Sequence, residues 1–419
     1  MFCAPKNGPG EAGPGQDGCL ILDNTGQVVW FRPVPTEAMD VMDFKMQRYG
    51  GMDVLTWWEG EHTGYGRGEY VMVDGEYREV GRVRAADGYA GDHHEFLISP
   101  QDTALFDIYG RLPVDLSPYG GAPDGSVLEG VIQELDVESG EVLFEWHSLD
   151  HVGIDESYVA SPYDYFHINS IAVADDDNLI VSARNTWTVY KIDRKSGEVI
   201  WRLGGKKSDF EVELEARTRF QHDARPQPDG TITIFDNGEF DADDRSYGIV
   251  LELDEIAMTA TLVRGYPHPE GRLSGTQGSM QVLPNGNCFI GWGSGPLFSE
   301  FSREGELLFG ARFPPESESY RTFRFPWSGR PQDKPAVVAE AGNDDRITLH
   351  ASWNGATQVA AWQVLAGPGA EELEGLVSVA RKGFETEITV HTAEPYVGVQ
   401  ARDASGKLLG TSEAVRTGG

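Results

Sequence analysis

Cysteine is scarce in this chain: three residues in 419, at Cys3, Cys19 and Cys288. An odd and sparse set supplies no disulfide framework and no metal-binding spacing, and leaves at most one bridge open, Cys3 to Cys19. Long apolar runs are missing too. No stretch of 18 apolar residues occurs, so no segment reads as a membrane-spanning helix. The opening Met1-Phe2-Cys3-Ala4-Pro5-Lys6 has no basic region followed by an apolar run, so it does not read as a leader. It reads as the interior of a domain, as expected of an exported protein whose leader lies outside this chain. Positive charge is in short supply: 34 Lys and Arg stand against 67 Asp and Glu, a net charge of −33. Such a surface repels nucleic acid and anionic membranes, which excludes both as main partners. It suits solubility at high salt or outside the cell, and the expected location is extracytoplasmic or secreted. An anionic substrate would need a local basic site to overcome the global field.

What the chain does have is glycine (51 residues), aromatics (11%) and a repeat. The unit is an apolar pair, an Asp, a Gly turn and an alternating strand. It occurs as CLILDNTGQVVWF from Cys19, YVMVDGEYREVGRV from Tyr70, IQELDVESGEVLFEW from Ile132 and VYKIDRKSGEVIWRL from Val189. Weaker copies are IVLELDEIAMTATLV from Ile249 and SEFSREGELLFGARF from Ser299. The copies start about 50 to 62 residues apart, and each reads as a hairpin. A second strand pair lies between them, as in HHEFLISPQDTALFDIYG, HINSIAVADDDNLIVSARN, HDARPQPDGTITIFDNG and SMQVLPNGNCFIGWG. Two hairpins per period make a four-stranded blade, and six periods predict an all-β, six-bladed β-propeller over residues 1–328. The alternative is a set of unrelated hairpins in a sandwich. Residues 326–335 are linker-like. Beyond them ITLHASW, TQVAAWQVLAG, EITVHT and YVGVQARD predict a C-terminal β-sandwich of immunoglobulin or fibronectin type over 329–419, with Trp353 and Trp362 in its core. This part carries no recognisable chemistry and is expected to pack on the propeller or help close it.

In a propeller, residues at equivalent points of successive inner strands converge on one channel. Those points hold Asp92-His93-His94-Glu95, then His167-Ile168-Asn169-Ser170, then Gln221-His222-Asp223-Ala224-Arg225, then Gly278-Ser279-Met280-Gln281. The returning strands end in Ser182-Ala183-Arg184-Asn185 and Phe235-Asp236-Asn237-Gly238. Three successive repeats therefore place a histidine at the same point. Of the adjacent pair, alternation sends one into the channel, and His94 is taken over His93. One bland role for such residues is to staple blades through backbone bonds. The chemical role is sharper: imidazole serves as nucleophile or acid–base group near neutral pH. Arg184 offers a planar fork of donors to an oxyanion, and Asn169 and Asn237 donate without charge. A neutral imidazole ringed by Arg and further His suits uptake of a phosphoryl or sulfuryl group. A carboxylate-based hydrolase would need an isolated acid pair in the channel, whereas most acidic residues, such as Asp175-Asp176-Asp177, sit in turns. A three-histidine metal site is the chemical rival, which a nearby Arg disfavours.

These residues carry a resemblance. The stretches FHINSIAV, SARNTWTVYKIDRKSGEVIWRLGG and FQHDARPQPDGTITIFDNG are similar to the bacterial and fungal arylsulfotransferase family, the type that works without the nucleotide sulfate donor. The likeness spans roughly residues 15 to 325, and the tail SWNGATQVAAWQVLAG resembles the extra domain of the family's shorter branch. It implies a six-bladed propeller and a ping-pong reaction in which a histidine takes the sulfuryl group of an aryl sulfate and passes it to a phenol. On that match His222 is the nucleophile. His167 and Arg184 hold the sulfuryl oxygens, His94 binds oxygens or shuttles the phenolic proton, and Asn169 orients His167 or the substrate. Neither a cofactor nor a metal takes part. The expected partners are a small aryl sulfate and a phenol, and the oligomeric state is left open.

Two other functions remain open on the residues alone. One is acid–base chemistry of a lyase, cyclase or hydrolase on a phenolic or anionic natural product. The other is a non-catalytic binding propeller. A quinoprotein dehydrogenase is disfavoured, since vicinal cysteines are lacking. The channel mouth is expected at residues 57–62, 158–165 and Trp187, with Trp58 and Trp187 either stacking on an aryl ring or packing between blades.

Overall fold

The computed structural model describes residues 1–7, 15–34, 39–239 and 245–417. It is all-β, with only single turns of 3-10 helix, and no helix of the described residues is long and apolar enough to cross a membrane. Six sheets, antiparallel but for one short parallel edge strand in the fifth, succeed one another along residues 2–323, and a two-stranded sheet pairs Lys6–Asn7 with Ser317–Glu318. The second pairs Asp40–Tyr49, Met52–His62, Gly66–Val73 and Glu79–Val83 in chain order. The third uses Phe96–Ile98, Thr103–Pro113, Ser126–Asp136 and Val142–His147, and the fourth Ile168–Val173, Leu179–Ala183, Thr188–Ile192 and Val199–Gly204. The fifth runs His222–Pro226, Thr231–Asp236, Tyr247–Asp254 and Thr259–Pro267, with Glu211–Val212 added at its edge. The sixth holds Ser279–Val282, Cys288–Gly291, Leu297–Phe301 and Leu307–Arg312. The first sheet is composite: Thr322–Phe323 lies beside Phe2–Cys3, followed by Gly18–Leu22 and Val28–Pro33. Both ends of the repeat thus share one sheet, and that pairing closes the series.

The outer hairpins fold where the sequence places Asp before a turn whose left-handed residue is Gly26, Gly140 or Gly197, or, without glycine there, Tyr77 (φ 61°) or Met258 (φ 55°). The Oδ1 atoms of Asp23, Asp74, Asp136, Asp193 and Asp254 each accept amide N–H bonds from residues two to four further on. In the sixth sheet Ser302 Oγ takes this place. Each such bond gives the chain an alternative to extended structure and fixes the turn. A good part of the acidity is therefore turn chemistry.

A hydrophobic core fills each junction between neighbouring sheets. Trp30 and Phe44 meet between the first and second, and Tyr70 and Phe106 between the second and third. Ile132 and Ile171 meet between the third and fourth, Val189 and Ile234 between the fourth and fifth. Phe235 and Ile290 join the fifth to the sixth, and Cys3 and Phe298 join the first to the sixth. At the inner edge, a side chain of one sheet takes a backbone N–H of the next. Asp43 accepts from Phe96 (3.2 Å), Glu95 from Ile171 (3.5 Å), Ser170 from Ala224 (3.1 Å), Asp223 from Met280 (2.8 Å) and Ser279 from Thr322 (3.1 Å). All three cysteines are free and buried, so the Cys3–Cys19 bridge does not form.

The C-terminal segment makes two further sheets around their own core of residues such as Leu349, Trp362 and Val399. Trp353, expected in that core, packs at its margin and donates to the Asp333 carbonyl. This unit docks on the first two sheets through Asn354, which bonds both the amide and carbonyl of Phe31, and through Gly355, whose carbonyl accepts from Tyr77.

Candidate active site

The inner strands of the second, fourth and fifth sheets start with a register break, between Met42 and Lys45, Ile168 and Ser170, and His222 and Arg225. Such bulges bend a strand and re-aim its side chains. The backbone beside them is left-handed at Asp43 (φ 54°), His167 (57°) and Asp223 (54°), and again at Gln277 (66°). For residues other than glycine each costs about 1 kcal/mol or more and persists only where surrounding bonds over-determine it. Here it turns His167 back over the short helical turn Pro162–Asp164.

The three histidines at the equivalent points are brought together, and each is tied through Nδ1. His222 Nδ1 faces Asn237 Oδ1 at 2.6 Å and the Phe220 carbonyl at 3.0 Å. Asn237 Nδ2 donates to the carbonyls of Ser274 (2.7 Å) and Gln277 (2.9 Å), which fixes the amide's orientation. Two acceptors against Nδ1 place the proton there and leave the lone pair on Nε2, which accepts a hydrogen bond from the Gln277 backbone N–H at 3.3 Å that an incoming sulfuryl group would displace. His167 Nδ1 bonds Asp164 Oδ2 at 2.5 Å. His94 Nδ1 bonds Asp92, whose carboxylate also takes the Gly66 and His94 amides. The rings of His94 and His167 lie 5.0 Å apart. Arg184 donates its backbone N–H to the His167 carbonyl at 2.8 Å, and its guanidinium lies over Phe220 at 4.5 Å, next to the His222 loop.

Burial, and then the Arg184 charge, push the His222 imidazole well below its ordinary range, with His94 and His167 adding to the effect. Burial, followed by His93, lowers His94 to about 3 in spite of Asp92. Burial raises the Asp164 carboxyl, but its bond and charge contact with His167, together with His94 and Arg184, outweigh this and hold it below the usual carboxylate range. At neutral pH the site therefore presents neutral imidazoles at His222 and His94 beside a fixed guanidinium.

Several expected roles change. Asn237 spends both amide hydrogens on the two carbonyls and turns its oxygen to His222, so it positions the imidazole and has no N–H left to donate to a substrate. Asn169 donates to the Gln221 carbonyl at 2.7 Å and does not hold His167, while its own Oδ1 is buried without a partner. Trp58 is fully buried, its indole N–H bonds the Gly91 carbonyl, and its ring lies so close over Gly68 that a Cβ there would meet it at 2.7 Å. It packs a sheet junction and offers no face to an aryl ring. Trp187 is half-buried, stacked on Tyr158 at 3.8 Å and edge-on to Phe220 at 5.3 Å. His93 is buried as well, turned towards Trp58 and His62.

Beneath the histidines lies a charged cluster that was not anticipated. Lys45, Arg225 and Arg321 interleave with Asp43, Glu95 and Asp223, and Arg321 is 1% exposed. Arg321 also donates to the Asn169 carbonyl at 2.8 Å. These carboxylates are an exception to the expected placement of acid in solvated turns, and each stands opposite a cation. Asp92, His93 and His94 could together hold a metal ion, their ligand atoms lying within 4.8 Å of one another. Asp92 is already engaged by two amides and His94, which leaves it little capacity for an ion.

The family model for arylsulfotransferase (ASST) matches residues 45–314, more than half of the chain. No curated protein matches. Among solved structures, a protein of unknown function from Bacteroides caccae is 15% identical, with 75% of this chain and 94% of that one covered and a TM-score of 0.43. A virginiamycin B lyase from Staphylococcus aureus is 9% identical, with coverages of 77% and 83% and a TM-score of 0.31. An exo-β-1,3-galactanase from Phanerochaete chrysosporium is 8% identical, with coverages of 98% and 99% and a TM-score of 0.37.

Proposed function

The chain belongs to the arylsulfotransferase (ASST) family, and from that premise we propose that it moves a sulfuryl group from an aryl sulfate to a phenol through a covalent intermediate on His222. The observation that carries this reading is the state of the His222 ring. Its Nδ1–H is bound by two neutral acceptors, so the only nucleophilic atom is Nε2. In the first half-reaction Nε2 bonds to sulfur as the S–O(aryl) bond breaks, and the phenolate leaves with the electron pair. The ring then carries positive charge, and Asn237 Oδ1 and the Phe220 carbonyl accept from a more acidic Nδ1–H. In the second, the acceptor's oxygen attacks sulfur as the S–N bond breaks, while its proton is relayed through His94 Nε2, which is too weakly basic to keep it, to the solvent. His167 and Arg184 hold the sulfuryl oxygens throughout. His94 enters the cycle neutral, with no proton to give the leaving group, so donors with acidic phenols react fastest.

We read the six sheets joined in a closed series as a six-bladed propeller over residues 1–328, and the C-terminal pair as an immunoglobulin-like sandwich over 329–419, of which 418–419 lie outside the described residues. The six junction cores and the inner-edge bonds support the first reading. The test of function is release of chromophore from 4-nitrophenyl sulfate, with and without an acceptor phenol. Turnover that requires the acceptor, yields its sulfate ester and falls by at least about 1000-fold in His222→Ala supports transfer. Equal release by His222→Ala contradicts it.

A further inference from the structure

Asp164 binds the two residues that face the anion into one unit. Its carboxylate holds His167 at 2.5 Å, and its backbone carbonyl accepts from Asn185 Nδ2 at 2.7 Å. Asn185 Oδ1 in turn accepts from Arg184 Nη1 at 2.9 Å, and the Arg184 amide returns to the His167 carbonyl. The loop of bonds is closed: Asp164, His167, Arg184, Asn185. The second carboxylate oxygen of Asp164 is buried with no hydrogen-bond partner, and apart from His167 its charge is opposed only at longer range, by His94 and Arg184. Around His167 the other titratable groups are His94, whose ring is 5.0 Å away, Tyr109 at 5.6 Å, Arg184 and, further off, His222. The anion cradle therefore contains one fixed positive charge, one carboxylate and one imidazole. In either protonation state of His167, Asp164 takes a full charge off the cradle.

A sulfate monoester carries one negative charge, whereas a phosphate monoester carries about 1.5 to 2 at neutral pH. The two are otherwise close in shape. We propose that Asp164 is a specificity-determining residue: through His167 and Asn185 it shapes the cradle, and its carboxylate tunes the cradle to the singly charged sulfate ester over the doubly charged phosphate ester of the same phenol. The choice of ligand rests on the sulfuryl-transfer reading above.

Binding of phenyl sulfate and phenyl phosphate at pH 8, measured by calorimetry in a His222→Ala background, tests this without turnover. Asp164→Asn keeps an acceptor for His167 but removes the charge, and the sulfate-to-phosphate affinity ratio is expected to fall by about tenfold. Asn185→Ala frees Arg184 but leaves the charge, so both affinities fall and the ratio holds. A ratio unchanged in Asp164→Asn, with melting temperature retained, overturns the proposal. So does a ratio that moves equally in Asn185→Ala. If Asp164→Asn does not fold, Asp164→Ser is read by the same ratio. Phenol release by the unmutated protein is scored separately. A protein that shows the ratio shift yet never releases phenol contradicts sulfuryl transfer and leaves the charge role standing.

Discussion

His222, His94 and His167 are the same residue type with different partners at Nδ1. Two face carboxylates, Asp92 and Asp164, and one faces the neutral amide of Asn237. A carboxylate favours imidazolium through its charge, whereas an amide oxygen fixes the tautomer and raises the ring only through its hydrogen bond. The proposed nucleophile is the one with the neutral partner. Its depressed value keeps it unprotonated as pH falls through 6.5, so the donor kcat/KM should show no acid limb from His222 near that pH. Asn237→Asp adds the charge that favours imidazolium, moving the protonation upward. Activity at pH 6 should then drop by about tenfold relative to pH 8. An unshifted pH–rate profile in Asn237→Asp contradicts the assigned tautomer. The histidines, Arg184 and Asn237 were legible because they recur at equivalent points of a repeat. Asp92 and Asp164 were not. They sit two and three residues before their histidines in a chain full of Asp, and only the left-handed backbone at His167 brings its ring back onto Asp164.

Among the elements, two local devices do separate work. The Asp-capped outer turns set hairpin register, and the bulged inner strands aim side chains at the site. Asp193 Oδ1 accepts amides of Lys195 and Ser196 in an exposed turn remote from the histidines. Asp193→Ala is therefore expected to lower the denaturant midpoint slightly with kcat unchanged, as read by equilibrium unfolding and initial rates. A loss of activity at full stability contradicts the division. The outer hairpins were readable from alternation and the Asp–Gly turn. The strands Phe2–Cys3 and Thr322–Phe323 were beyond such reading: two residues are too few to alternate, and their partner lies at the other end of the repeat.

On the scale of the whole molecule, the bulk charge of −33 and an anion site are reconciled by segregation. Much of the acid caps turns at the surface. The centre pairs three buried carboxylates with Lys45, Arg225 and Arg321, leaving Arg184 as the guanidinium beside the histidines. Removing one member of such a buried set typically costs about 3–5 kcal/mol, because its partners are left uncompensated. Asp43, Glu95 and Asp223 do recur at the inner edges of their sheets. The cluster escaped the sequence reading because its cations Lys45, Arg225 and Arg321 come from three separate stretches of the chain and nothing in the repeat pairs them with those acids. The most direct measurement of the central claim is to load the protein with aryl sulfate in the absence of acceptor, quench, digest at neutral pH and map the sulfuryl mass. One sulfuryl group is expected on the peptide carrying His222, lost on addition of a phenol. A group on another residue, or unmodified protein during steady chromophore release, would contradict it.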